Sequence, residues 1–134
     1  MNYIFANNPW GDSCYKIYRT KLNYGDAKAR CEADGTFLAI PRSETENMFI
    51  AGLLTDENSW IGINDIEQEG NFVSVDGRDI SFTNWNSGEP NDWSFNEDGV
   101  EINFNDGRWN DLSVNEERKF VCSINLQGKI FRSN

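Results

Sequence analysis

The segment WNSGEPNDWSFNEDGVEINFNDGRWND, residues 85–111, is rich in acids and amides. Seven acids stand in it beside a single base, Arg108. These acids are Glu89, Asp92, Glu97, Asp98, Glu101, Asp106 and Asp111. Asparagines such as Asn91 and Asn110 add neutral carbonyl oxygens. Clustered carboxylates repel one another, and Ca²⁺ relieves this repulsion by taking about six to eight oxygen ligands. The segment therefore predicts a calcium site.

A solvated acidic loop is the simpler alternative reading of such a charge cluster. Large aromatic side chains within the segment argue against it, because they gain little from lying in a loop that only contacts water. These residues are Trp85, Trp93, Phe95, Phe104 and Trp109. We therefore expect the segment to form an ordered structure and not a solvated loop. We expect Trp85 and Trp109, together with Trp60 outside the segment, to belong to the core.

The composition restricts the class of function. A formal net charge of −10 over 134 residues disfavours nucleic acid and anionic membrane surfaces as partners. No apolar run approaches the ~20 residues of a membrane span, so membrane insertion is not expected. The chain contains no histidine, and no nucleophile–base pair or phosphate-binding loop is recognisable. We therefore expect a single domain over residues 1–134 that binds a ligand and is not an enzyme.

The first half of the chain predicts a hairpin and two helices. Residues 1–22 contain two strand-like runs around an Asn-Pro turn, typical of an N-terminal hairpin. A first helix should run from the N-cap Asn23 to a stop at Gly35. A second should begin at Ser43, where the sequence SETE forms a capping box.

The second half predicts strands. WIGI at residues 60–63 and KFVCSI at residues 119–124 are suited to buried strands. Val100, Ile102 and Phe104 alternate with polar residues, which predicts a half-buried strand with Glu101 facing outward. Helices early and strands late indicate an α+β fold with antiparallel sheet.

An EF-hand loop is a further alternative between residues 65 and 76. The acids and glycine that fall at its positions are Asp65, Glu67, Glu69, Gly70 and Asp76. An EF-hand needs a helix on each side, whereas the flanking runs WIGI and NFVSV are strand-like. The pattern therefore disfavours an EF-hand, although these acids could still bind calcium with another loop.

Four motifs together resemble the C-type lectin domain. They are WIGI at residues 60–63, Glu89-Pro90-Asn91, Trp109-Asn110-Asp111 and Phe120-Val121-Cys122. The resemblance covers about residues 14–124 and implies two helices, two small antiparallel sheets and a long calcium-binding loop, here within residues 85–111. It also implies a cis peptide bond at Pro90.

The resemblance implies specific ligands. A primary calcium site would use Glu89, Asn91, Glu97, Asn110 and Asp111. An auxiliary calcium site would use Asp65, Glu69, Asp92, Glu97 and Asp98. Two vicinal hydroxyls of a sugar would bind the primary ion, since carboxylates accept hydroxyl protons and amide NH₂ groups donate to hydroxyl oxygens. Sugar contacts are thus expected from Glu89, Asn91, Glu97, Asn110 and Trp93.

The three cysteines are Cys14, Cys31 and Cys122, which allows one disulfide and a leftover thiol. The resemblance implies a bridge between Cys31 and Cys122. The second bridge of the family would fall near Gly99 and Val114, and neither position is a cysteine in this chain. Cys14 would then be a buried thiol or a bridge between two chains of a homodimer.

The expected function is calcium-dependent binding of glycans by a secreted protein. Glu89-Pro90-Asn91 resembles binders of mannose, fucose and N-acetylglucosamine. Trp93 stands where many galactose binders of the family place a tryptophan, so galactose is the alternative sugar. A protein or ice ligand on the same fold is the alternative from another class.

Overall fold

A computed structural model describes residues 4–8, 11–90 and 97–125 of the chain. In chain order the elements are β1 (Ile4–Asn8), β2 (Gly11–Leu22), α1 (Tyr24–Ala33), β3 (Phe37–Leu38), α2 (Glu44–Leu53), β4 (Ser59–Asn64), β5 (Val73–Ser74), β6 (Gly99–Ile102), β7 (Trp109–Leu112) and β8 (Arg118–Asn125). These elements confirm the α+β prediction.

Both helices begin where their caps predict. The Asn23 side chain accepts a hydrogen bond from the backbone N–H of Asp26, and the Ser43 side chain accepts one from Glu46. Gly35 follows the end of α1 with φ 77°, a conformation that favours glycine. In the predicted capping box, however, the Glu46 carboxylate accepts from the backbone N–H of Arg42 at 3.0 Å.

The strands form two antiparallel groups. One contains β1, β2, β3 and β8, and the other contains β4, β5, β6 and β7. A short parallel pairing of β4 with β8, through Ser59–Lys119 and Trp60–Phe120, joins the groups into one hydrogen-bonded sheet. This arrangement places β6 and β7, which carry Glu101 and Asp111 of the acidic segment, at one side of the sheet.

The core lies between the sheet and the helices. Trp60 and Trp109 are fully buried, as predicted, and Trp85 is half-buried with its ring edge-on to that of Trp109 at 5.6 Å. Cys31 on α1 and Cys122 on β8 are also fully buried and form the predicted disulfide. Cys14 on β2 is a half-buried free thiol. Neither described helix is long and apolar enough to span a membrane.

Candidate functional site

Two groups of three carboxylates converge in the structure. In each group the three residues offer one oxygen apiece, and these oxygens lie within 4.8 Å of one another. The first group, named the primary cluster, consists of Glu89, Glu97 and Asp111. The second group, named the auxiliary cluster, consists of Asp65, Glu69 and Asp98. Each cluster therefore brings together carboxylate oxygens from residues that are separated in sequence.

Backbone hydrogen bonds align the segment before Glu89 with β7. The backbone N–H of Trp109 donates to the carbonyl of Asn84 at 2.9 Å, and that of Asn86 donates to the carbonyl of Trp109 at 2.9 Å. The N–H of Glu89 then donates to the carbonyl of Asn86 at 2.9 Å in a turn, and Glu89–Pro90 is a cis peptide bond, as predicted. This alignment brings Glu89 close to Asp111, which lies on β7 and is 3% exposed.

A buried asparagine on α2 fixes the start of β7. The Asn47 side chain accepts a hydrogen bond from the indole Nε1–H of Trp109 at 2.7 Å and donates one to the carbonyl of Gly107 at 2.9 Å. Asn84 donates to the same Gly107 carbonyl at 2.8 Å. The sequence reasoning missed Asn47, because nothing in its local pattern links it to residues about sixty positions later.

The auxiliary cluster is built around a buried aspartate at the end of β4. Asp65 is 1% exposed, and its backbone N–H donates to the carbonyl of Asp98 at 3.1 Å. Its Oδ2 accepts from the N–H of Gly70 at 2.8 Å. Among the described residues, Oδ1 of Asp65 is buried without a hydrogen-bond partner. An unsatisfied carboxylate oxygen is costly to bury, and a cation would satisfy it.

The segment after β4 is not an EF-hand. Strands β4 and β5 flank it instead of helices. Asp76, which would close such a loop, pairs with the guanidinium groups of Arg42 and Arg78 and is not part of the auxiliary cluster. This agrees with the sequence pattern, which disfavours an EF-hand.

The primary cluster perturbs the acidity of Glu89. Burial is the largest of the effects that together raise the pKa of Glu89 from 4.5 to about 7, and the neighbouring Asp111 and Glu97 carboxyls contribute by disfavouring another negative charge. A hydrogen bond from the backbone of Asp111 opposes the shift. A cation between these groups would favour the ionised form of Glu89.

Comparison with known proteins identifies the family. The family model of the lectin C-type domain matches residues 20–124. The chain belongs to the C-type lectin domain family. Lectin BRA-3 of Megabalanus rosa is 34% identical to it over 119 residues, which make up 86% of this chain and 73% of that protein. Collectin-10 of Xenopus tropicalis is 39% identical over 125 residues, 90% of this chain and 45% of the collectin. The chain thus spans less than half of that longer relative.

Solved structures show the same fold. The carbohydrate-recognition domain of the mouse scavenger receptor C-type lectin matches with a TM-score of 0.81 and 31% identity, covering 90% of this chain and 95% of that one. A calcium-independent type II antifreeze protein matches with a TM-score of 0.82. At 21% identity, over 93% of this chain and 97% of that one, it shows only that the fold is shared.

The structure describes some of the predicted site residues and not others. Asn91, Asp92 and Trp93 lie outside the described residues. Glu97 was predicted for both calcium sites and lies in the primary cluster. Asn110 lies on β7, and its side-chain Nδ2–H donates to Oε2 of Glu101 at 3.3 Å.

Glu101 itself differs from the prediction. It was expected to face outward on a half-buried strand, but it is 5% exposed, and Phe104, expected inside, is 38% exposed. Strand β6 ends at Ile102, so the alternation does not extend to Phe104. Hydrogen-bond partners on β7 and β8 allow Glu101 to be buried, since Asn110 and Arg118 both donate to its carboxylate.

Proposed function

We propose that this domain binds carbohydrate in a calcium-dependent manner and has no catalytic activity. The observation that carries the proposal is the convergence of Glu89, Glu97 and Asp111, because three carboxylates within 4.8 Å suit a hard divalent cation. The buried Oδ1 of Asp65 supports a second ion in the auxiliary cluster. Membership of the lectin family agrees with a sugar ligand.

In the primary site, Asn91 and Asn110 would complete the oxygen set begun by the three carboxylates. Bound Ca²⁺ would supply coordination positions for two vicinal hydroxyls of a sugar. Glu89 and Glu97 would accept the protons of these hydroxyls, and the amide NH₂ groups of Asn91 and Asn110 would donate to their oxygens. Alternation of acid and amide thus orients the sugar ring.

The auxiliary site would be formed by Asp65, Glu69 and Asp98, with further oxygens from Asp92 and Glu97. Its role is to order the loop that carries the primary ligands. The family's second disulfide, near Gly99 and Val114, is absent from this chain because neither position is a cysteine. An ion bound between residues 65 and 98 would cross-link two segments in its place.

Calorimetry and calcium titration test the proposal directly. Calcium in excess over its dissociation constant should raise the melting temperature, and chelator should reverse the rise. Glu89→Gln should weaken binding of both calcium and sugar, because it removes one charge from the primary cluster. Glu67→Gln is the matched control, since Glu67 is an exposed acid outside both clusters. Equal calcium binding by the two variants would contradict the assigned site.

For the sugar, we propose a preference for mannose, fucose or N-acetylglucosamine. The order Glu89-Pro90-Asn91 supports this preference, because hydrogen bonds to the metal ligands would select which hydroxyl pair fits. Galactose binding helped by stacking on Trp93 is the alternative, since such stacking adds about 1 kcal/mol. Competition titrations with mannose and galactose on the wild type and on Trp93→Ala distinguish them. Galactose binding more tightly to the wild type, and losing that lead in the variant, would establish the alternative.

A second candidate function is binding of protein or ice without sugar. A calcium-independent type II antifreeze protein shares this fold, so the fold alone does not decide between the two functions. A glycan array read with and without chelator separates the two functions. Binding that disappears with chelator supports the lectin, whereas an array without signal, together with thermal hysteresis of ice growth, supports the antifreeze reading.

We also propose that the protein is secreted, in keeping with the Cys31–Cys122 disulfide. Cys14 remains a candidate for a bridge between two chains of a homodimer, and burial raises the pKa of its thiol. Electrophoresis without reductant tests the bridge, with Cys14→Ser as the control.

A further inference from the structure

Glu101 is a buried acid that contacts a proposed calcium ligand. It lies on β6, directly opposite Asn110 on β7 in the antiparallel register. Its Oε2 accepts a hydrogen bond from Nδ2 of Asn110 at 3.3 Å, and its Oε1 accepts one from Nε of Arg118 at 2.9 Å. Both carboxylate oxygens therefore have a donor, one of them in an ion pair with Arg118, although Glu101 is only 5% exposed.

This contact restricts the orientation of the Asn110 amide. An asparagine amide can rotate by 180° to exchange its oxygen and its NH₂ group. A carboxylate accepts hydrogen bonds but donates none, so it favours the orientation with NH₂ toward Glu101. The carbonyl oxygen of Asn110 is then directed away from Glu101, and one N–H remains for another acceptor.

We propose that Glu101 is a positioning residue that holds the Asn110 amide in the orientation needed for calcium and sugar. Held in this way, Asn110 offers its carbonyl oxygen to the ion of the primary cluster and its second N–H to a sugar hydroxyl. The inference rests on the proposed function, because it assigns Asn110 as a calcium ligand. Arg118 acts at the far side of Glu101 and keeps its carboxylate in place.

The variant Glu101→Gln reverses the pattern of donors at Asn110. Arg118 needs an acceptor, so the new amide should turn its oxygen toward Arg118 and its NH₂ toward Asn110. Asn110 would then rotate to accept, which withdraws its carbonyl oxygen from the ion. Calcium affinity should fall about 10- to 100-fold, as for other residues that orient a metal ligand. Sugar affinity at saturating calcium should fall as well.

Arg118→Lys is the matched control. It keeps a positive donor beside Glu101 and leaves the acceptor for Asn110 intact, so it should lower the melting temperature while calcium affinity stays within about twofold. An equal loss of calcium affinity in both variants would show that the Arg118–Glu101 pair is only structural and would overturn the proposal. Unchanged calcium affinity in Glu101→Gln would also overturn it.

A measurement on the ion-free wild type keeps the proposal testable if Glu101→Gln does not fold. In NMR spectra, the side-chain amide protons of Asn110 should exchange with water more slowly than those of the exposed Asn105. Equally fast exchange would mean that Glu101 does not hold the amide. A wild type that binds no calcium but shows the protected amide would refute the proposed function and leave the orientation of Asn110 established.

Discussion

Replacing Asn47 by alanine should remove a link between α2 and the strand that carries Asn110 and Asp111. The indole N–H of the fully buried Trp109 would lose its acceptor, which costs about 1–3 kcal/mol. The lost side-chain volume adds about 1 kcal/mol. A total of about 3 kcal/mol corresponds to a melting temperature about 10 °C lower for a chain of this size. Calorimetry in chelator measures this loss without any contribution from bound calcium.

Asn84→Ala is the matched control for this prediction. Asn84 donates to the same carbonyl of Gly107, at 2.8 Å, but contacts no indole N–H. In the control that carbonyl keeps its hydrogen bond from Asn47, so the loss should be below about 1 kcal/mol. The reasoning would be refuted if Asn47→Ala cost no more than Asn84→Ala, since the orphaned N–H of Trp109 would then carry no penalty.

Three further changes have defined outcomes. Reducing the Cys31–Cys122 disulfide, at a sequence separation of 91, should lower the free energy of unfolding by about 4–5 kcal/mol, measured by denaturant titration with and without reductant. Because the pKa of Glu89 is raised to about 7, the ion-free protein should lose stability as pH rises from about 5 to 8. Calcium affinity should rise over the same pH range. Melting curves in chelator test the fall in stability, and calcium titrations at each pH test the rise in affinity. Gly62→Ala should destabilise severely, since the added Cβ would lie 2.4 Å from the Leu38 carbonyl oxygen; an unchanged melting temperature would contradict this.

The elements that the sequence predicts well are those with local signals. Asn23 and Ser43 each satisfy a backbone N–H three residues later, so the start of each helix is encoded within one turn. WIGI predicts β4 because its apolar run is continuous and short. Such features need no knowledge of the rest of the chain.

The candidate site could not be predicted in that way. Asp65 meets Asp98 only because β4 and β6 pair in the sheet, and no spacing rule relates residues so far apart. The grouping was expected only through resemblance to a family. Glu101 shows the limit of a local pattern: alternation predicted an outward acid, whereas donors from β7 and β8 make its burial possible.

The carboxylates that the proposed function needs lower the stability of the ion-free domain. Three carboxylates close together repel one another, and burial together with this repulsion raises the pKa of Glu89. Interactions outside the cluster offset it, because the Cys31–Cys122 disulfide and the buried Trp109 hold the surrounding elements independently of calcium. Chelation should therefore lower the melting temperature without unfolding the domain at ambient temperature. Calcium would then act on a site whose carboxylates the fold has already brought together.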